Sequence, residues 1–279
     1  MNPLVSVSWL VEHIADPKVV VLDATLPPVG VTPVVDTRGR YIELHIPGAV
    51  FFDIDALSDH ATTLPHMLQG DEEFSRNMSA LGVGDGMTIV VYEQEGVFSA
   101  PRARWMLKAY GAKDVFLLDG GLRAWEEAGQ QVESGAVKRA ASRFTAKLDC
   151  GMVKDFAEVQ QMIAERGQIL DARSAGRFAG TAPEPRAGLS SGHMPGATNV
   201  PFTELVSDGR LKSADELNRI FAAKDVKLEE PITTTCGSGV TAAVVALGLE
   251  IAGAEKVRLY DGSWAEYAQR PEAVIEKNC

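Results

Sequence analysis

His45-Ile46-Pro47-Gly48-Ala49 returns 148 residues later as His193-Met194-Pro195-Gly196-Ala197, and at the same interval Asp23-Ala24 returns as Asp171-Ala172. Further on, Leu118-Asp119-Gly120-Gly121 with Trp125 is echoed by Tyr260-Asp261-Gly262-Ser263 with Trp264. Gly111 and Val115 are echoed by Gly253 and Val257, now 142 residues apart. A repeat of about 130 residues is far too long for a solenoid and long enough to bury a core of its own. The 279-residue chain is therefore expected to hold two globular domains from a duplication, 1–133 and 151–279. Residues 134–150 between them are small, polar and basic without a strong period, which suits a linker crossing the surface.

Each copy alternates strand and helix signals. In the second, Gln168-Ile169-Leu170-Asp171 is a short apolar run fit for a buried strand, and Ser213-Ala214-Asp215-Glu216 is a capping box opening a helix to about Ala223. Pro231 to Thr235 is β-branched and reads as a strand. Val240 to Ile251 reads as a buried helix stopped at Gly253, and Lys256 to Tyr260 as the next strand. Thr88–Tyr92 and Val115–Leu118 are the counterpart strands of the first copy. Alternating β and α elements predict an α/β fold, each domain a mostly parallel sheet flanked by helices.

The composition narrows the function. A net charge of -11 argues against nucleic acid or an anionic membrane as the partner, and leaves a small anionic substrate only if a local positive pocket receives it. No stretch approaches the length of a membrane span, and the N-terminal residues lack the basic start and apolar run of a secretory signal. Three cysteines, Cys150, Cys236 and Cys279, make no disulfide framework and no zinc pattern. A reducing, cytoplasmic setting is expected, with no metal or organic cofactor. Cys150 in the linker and Cys279 at the last position are read as incidental thiols.

Thr235-Cys236-Gly237-Ser238-Gly239-Val240-Thr241-Ala242 lies between a predicted strand and a predicted helix, where ligands of open α/β sheets bind. Its glycines let several N–H groups turn inward ahead of a helix N-terminus, a nest that attracts an anion and favours a thiolate on Cys236. A plain buried cysteine beside a tight turn is the alternative from spacing alone. A second loop, Gly176 to Arg186, carries Arg177 and Arg186 among prolines and glycines. Arginine forks bind carboxylates, although ordinary pairing of Arg186 with Glu184 would use the same residues.

Cys-Gly-Ser-Gly-Val-Thr resembles the active loop of the rhodanese superfamily, and more closely that of its 3-mercaptopyruvate sulfurtransferases. The resemblance extends over nearly the whole chain through the duplicated domain, the two His-x-Pro-Gly segments, Phe98-Ser99-Ala100-Pro101-Arg102, Asp119-Gly120-Gly121 and Asp261-Gly262-Ser263-Trp264. It implies two tandem rhodanese-like domains and a ping-pong reaction. The Cys236 thiolate takes sulfur from 3-mercaptopyruvate, pyruvate leaves, and the persulfide passes sulfur to a thiophilic acceptor: cyanide in assays, a thiol or a thioredoxin in cells. It further implies that Arg177 and Arg186 hold the donor's carboxylate and ketone, and that Gly237, Gly239, Val240 and Thr241 line the loop that holds the anion. For Thr241 helix capping is the simpler role. The resemblance also implies a serine–histidine–aspartate relay, for which Ser238, His45 and Asp36 are the candidates. His193, the repeat of His45, is assigned a structural role.

The first copy has no thiol. Counted back from Asp119, the place of Cys236 falls on Gln94 between Glu93 and Glu95, so this domain is expected to be inactive, to complete the cleft and to supply His45. Three other functions compete with this one. A cysteine phosphatase needs an arginine six residues after the cysteine, and that position is Ala242. A thiosulfate sulfurtransferase would carry basic residues where Gly237 and Ser238 stand. A non-enzymatic sulfur-relay or binding module is the third; some rhodanese-like domains have lost the cysteine, but Cys236 is present in the second domain.

Overall fold

The chain is described as a computed structural model covering residues 2–278, so Cys279 lies outside the described residues. Its first half runs β1 (Leu4–Val5), α1 (Val7–His13), β2 (Val19–Asp23), α2 (Thr37–Glu43), β3 (Val50–Phe51), α3 (Asp71–Ala80), β4 (Thr88–Tyr92), α4 (Ala100–Ala109), β5 (Val115–Leu118) and α5 (Gly121–Glu127). The second runs β6 (Val153–Lys154), α6 (Phe156–Ala164), β7 (Gln168–Asp171), α7 (Ala175–Ala179), β8 (Thr198–Asn199), β9 (Val206–Ser207), β10 (Arg210–Leu211), α8 (Ala214–Ala222), β11 (Ile232–Thr235), α9 (Val240–Ala252), β12 (Val257–Tyr260) and α10 (Ser263–Tyr267). Every strand and helix expected from the sequence forms within a residue or two of its predicted ends. The capping box of α8 is present, with Ser213 and Glu216 each accepting the other's backbone N–H.

Two five-stranded sheets carry the molecule, ordered β1-β5-β4-β2-β3 and β6-β12-β11-β7-β8. Their pairings are parallel throughout. Mapped by the repeat, the orders are identical: the duplication seen in short motifs is a duplication of topology. Central strands buried on both faces need continuous apolar runs, and Val19-Val20-Val21-Leu22 and Ile89 to Tyr92 supply them. Trp125 closes one core with Leu10, Tyr92 and Leu118, and Trp264 closes the other with Val159, Tyr260 and Tyr267. No helix among the described residues is long and apolar enough to cross a membrane.

The units are not simple halves of the chain. One contains the described residues up to Asp59, then Leu68–Asp149 and Asp208–Arg210; the other contains His60–Met67, Cys150–Ser207 and the described residues from Leu211 onward. Position 208 is the repeat of position 60, so the short stretch each copy gives the other starts at the same point of the repeat. The linker expected at 134–150 packs with the first unit as far as Asp149. Phe144 is buried there against Phe74, and Asp85 accepts from both the N–H and the hydroxyl of Thr145.

Candidate active site

β11 ends at Thr235, in register with Asp171 of β7, and Cys236 is the next residue. The first turn of α10 pins its backbone. Trp264 N–H donates to the Cys236 carbonyl at 2.9 Å and Ala265 N–H to the Gly237 carbonyl at 3.0 Å. The Cys236 N–H points to Ser263 Oγ at 3.4 Å, and that hydroxyl donates to the Tyr260 carbonyl. Gly239 then turns the chain at φ 79°, a left-handed conformation that favours glycine, and α9 starts with no side-chain cap. Thr241, in the first turn, is therefore not the cap. The N–H groups of Gly237, Ser238, Gly239, Val240 and Thr241 meet no acceptor among the described residues. A loop of open amides at a helix N-terminus is a site for negative charge. Cys236 is 2 % exposed, which keeps bulk water off its sulfur.

Two guanidinium groups converge over this loop. A Cβ placed on Gly237 would stand 3.0 Å from Arg177 Nη2 and 3.5 Å from Arg186 Nη1. Arg186 Nη2 donates to Ser238 Oγ at 3.2 Å. Arg177, not Arg186, pairs with Glu184, through Nε at 3.1 Å and Nη2 at 2.5 Å. Glu184 Oε1 accepts from Arg173 Nη1 at 2.8 Å. Asp171 in turn takes Arg173 Nε and Nη2, and the Arg173 guanidinium lies 4.0 Å over the Trp264 ring. Arg173 escaped the sequence reading, and Glu184 entered it only as a possible partner of Arg186. Asp171-Ala172-Arg173 and Pro183-Glu184-Pro185 are visible as motifs, but nothing in their spacing says that the four charges join.

The histidine that meets the loop is His66. Its Nδ1 lies 2.9 Å from Ser238 Oγ and 3.3 Å from the Ser238 carbonyl oxygen. Its φ is 62°, a conformation uncommon outside glycine and a mark of a site that over-determines its backbone. It belongs to the stretch His60–Met67 that packs with the second unit, and no repeated motif marked it.

His45 and Asp36 both belong to the first unit. The His45 side chain is fully buried in the first unit. Its Nδ1 donates to the Tyr41 carbonyl at 2.7 Å, its ring stacks on Tyr41, and its backbone bridges Glu133. His193 repeats this in the second unit, donating to the Phe178 carbonyl, stacking on Phe178 and bridging Glu276. A geometry shared by the copy with a thiol and the copy without one is structural. Asp36 caps α2, accepting the Gly39 N–H at 2.8 Å.

Strand register also corrects the counterpart of Cys236. Asp23 pairs with Tyr92 as Asp171 pairs with Thr235, so Glu93, not Gln94, follows the strand as Cys236 does. Leu122 N–H donates to the Glu93 carbonyl as Trp264 N–H donates to that of Cys236. Counting back from Asp119 missed this by one because the intervals of the two copies differ by one. The Glu93 carboxylate fills its own loop, accepting from the N–H groups of Phe98, Ser99 and Ala100 and from the Ser99 hydroxyl. Burial pushes its pKa up to about 7 against those hydrogen bonds.

Comparison with known proteins finds relatives over nearly the whole chain. The profile of the rhodanese-like domain matches residues 6–128 and again 155–270. The chain is 45% identical over 276 residues to the 3-mercaptopyruvate sulfurtransferase of Escherichia coli K12, covering 98% of this chain and 97% of that one. It is 43% identical over 286 residues to the 3-mercaptopyruvate sulfurtransferase of Homo sapiens, covering 98% and 95%. The crystal structure of the Escherichia coli 3-mercaptopyruvate sulfotransferase superposes with a TM-score of 0.88 at 43% identity, covering 95% of this chain and 99% of that chain.

Proposed function

The chain belongs to the rhodanese family, and from that premise we propose that it is an enzyme transferring sulfur from 3-mercaptopyruvate through a persulfide on Cys236. The reading is carried by one observation: two guanidinium groups stand over a loop of unpaired amides that begins at a cysteine. Arg177 and Arg186 receive the donor's carboxylate and ketone, and its sulfur comes down on Cys236. The Cys236 thiolate attacks that sulfur, the C–S bond breaks, and its electrons leave in the enolate of pyruvate. The proton of the donor's thiol ends on the enolate carbon. Ser238, in contact with both His66 and Arg186, is suited to carry it. His66 thus takes the part the sequence assigned to His45. The amides of Gly237 to Thr241 hold the persulfide's charge, preorganised and screened from water.

In the second half-reaction a nucleophile attacks the outer sulfur, the S–S bond breaks and the Cys236 thiolate returns. Cyanide serves in assays, and a small thiol or a thioredoxin serves in the cell. Neutral side chains at Gly237 and Ser238 favour the monoanionic donor over doubly charged thiosulfate.

Intact-mass spectrometry of protein treated with 3-mercaptopyruvate tests this directly. One added sulfur is expected, on the Cys236 peptide and not on that of Cys150, and Cys236→Ser is expected to take up none. Transfer to cyanide that survives Cys236→Ser would end the proposal.

A further inference from the structure

The arginine that faces the loop is itself held by a buried chain of alternating charge. Arg173 spends all three guanidinium nitrogens inside the protein: Nε and Nη2 on Asp171, Nη2 also on the Gly192 carbonyl at 2.7 Å, and Nη1 on Glu184. Its side chain is fully buried over Trp264, so it does not itself face a substrate. Its effect on the site passes through Glu184, whose side chain is 2 % exposed. One Glu184 oxygen is fixed by Arg173 and the other accepts both Nε and Nη2 of Arg177. The side-on edge of Arg177 is thereby consumed. The end-on edge, Nη1 and the second hydrogen of Nη2, is left, and Nη2 stands 3.0 Å from where a Cβ on Gly237 would be.

We propose that Glu184 is a positioning residue for sulfur donation: anchored by Arg173, it rotates Arg177 so that only its end-on edge meets the donor. The inference rests on the reading of Arg177 as a donor-binding residue. Two consequences follow from the bond pattern. Glu184 offsets the charge of Arg177, since Asp171, Arg173, Glu184 and Arg177 sum to zero, so Arg177 acts through directed N–H groups more than through net charge. The orienting group is also rigid, because each of its two oxygens is committed to a different guanidinium.

Glu184→Gln keeps the shape but leaves one oxygen to serve two arginines, with an amide that repels one of them. The KM for 3-mercaptopyruvate is expected to rise about 10- to 100-fold. The rate of sulfur removal by cyanide from protein already loaded with persulfide is expected to hold, because that step does not bind the donor's carboxylate. The decisive measurement is a double-mutant cycle with Arg177→Gln. Once Arg177 is gone Glu184 has nothing to orient, so the double variant should show the KM of Arg177→Gln alone. Glu184→Asp retains the charge at a shorter reach and should recover part of the KM; it also serves if Glu184→Gln does not fold. Additive effects in the cycle, or an unchanged KM in Glu184→Gln, would overturn the proposal. An unchanged KM in Arg177→Gln would instead remove the donor-binding reading beneath it.

Discussion

Glu93 and Cys236 follow the same strand position in two copies of one sheet, and their chemistry divides the copies. In the second, the loop after the strand keeps its amides open; in the first, Glu93 closes them with its own carboxylate. Because burial raises the Glu93 pKa to about 7, the folded state binds a proton there more tightly than the unfolded chain does. Its stabilising contribution is full below about pH 4.5 and is lost as pH rises through about 7. Thermal unfolding of wild type and Glu93→Gln, compared from pH 5 to pH 8, should show a downward step in the wild type that the variant lacks. Parallel curves would refute the assignment. The two histidines separate in a similar way. His66→Asn is expected to slow persulfide formation by about 10²- to 10⁴-fold, the range of general acid–base catalysis. His45→Asn is expected to lower the melting temperature while sparing turnover by the protein that remains folded, because its ring is enclosed by Tyr41 and its own loop. Stopped-flow pyruvate release beside calorimetry reads both.

At the scale of elements, the reactive loop depends on two glycines for different reasons. Gly239 needs its left-handed φ, so Gly239→Ala strains the entry to α9 and is expected to cost about 1–2 kcal/mol in denaturant unfolding. Gly237 needs no such φ but leaves room for the guanidinium groups. Gly237→Ala is therefore expected to change stability little while raising the KM for 3-mercaptopyruvate by about 10-fold or more as Arg177 is pushed aside. A KM shift in Gly239→Ala alone, with Gly237→Ala silent, would contradict this division. The loop, the strand before it and the helix after it were legible in the sequence because they are contiguous: β-branched Ile232 to Thr235, the glycines, then an Ala- and Val-rich run without proline. The buried ladder Asp171–Arg173–Glu184–Arg177 was not, because its members lie on a strand end, a turn, a proline-flanked loop and the short helix α7, which only folding brings together.

For the whole molecule, the duplication accounts for the two identical sheet orders, and the exchange of residues 60–67 and 208–210 accounts for why neither half of the chain is a complete unit. A fragment beginning at Cys150 would retain Cys236, Arg177 and Arg186 but lack His66. It is expected to form persulfide from 3-mercaptopyruvate at least about 100-fold more slowly than the full chain, measured by pyruvate release. A fragment as fast as the full chain would place the proton transfer elsewhere. The sequence by itself determined the two copies, the parallel α/β architecture, the thiol-bearing loop and the arginine-bearing loop, since each is written in neighbouring residues or in a repeat at fixed spacing. Tertiary structure alone decided which histidine meets Ser238, which acid faces Arg177, and that Glu93 stands at the position of the thiol. Those depend on strand register and on which distant stretch of chain packs beside a loop, and contacts of that kind leave no trace in spacing.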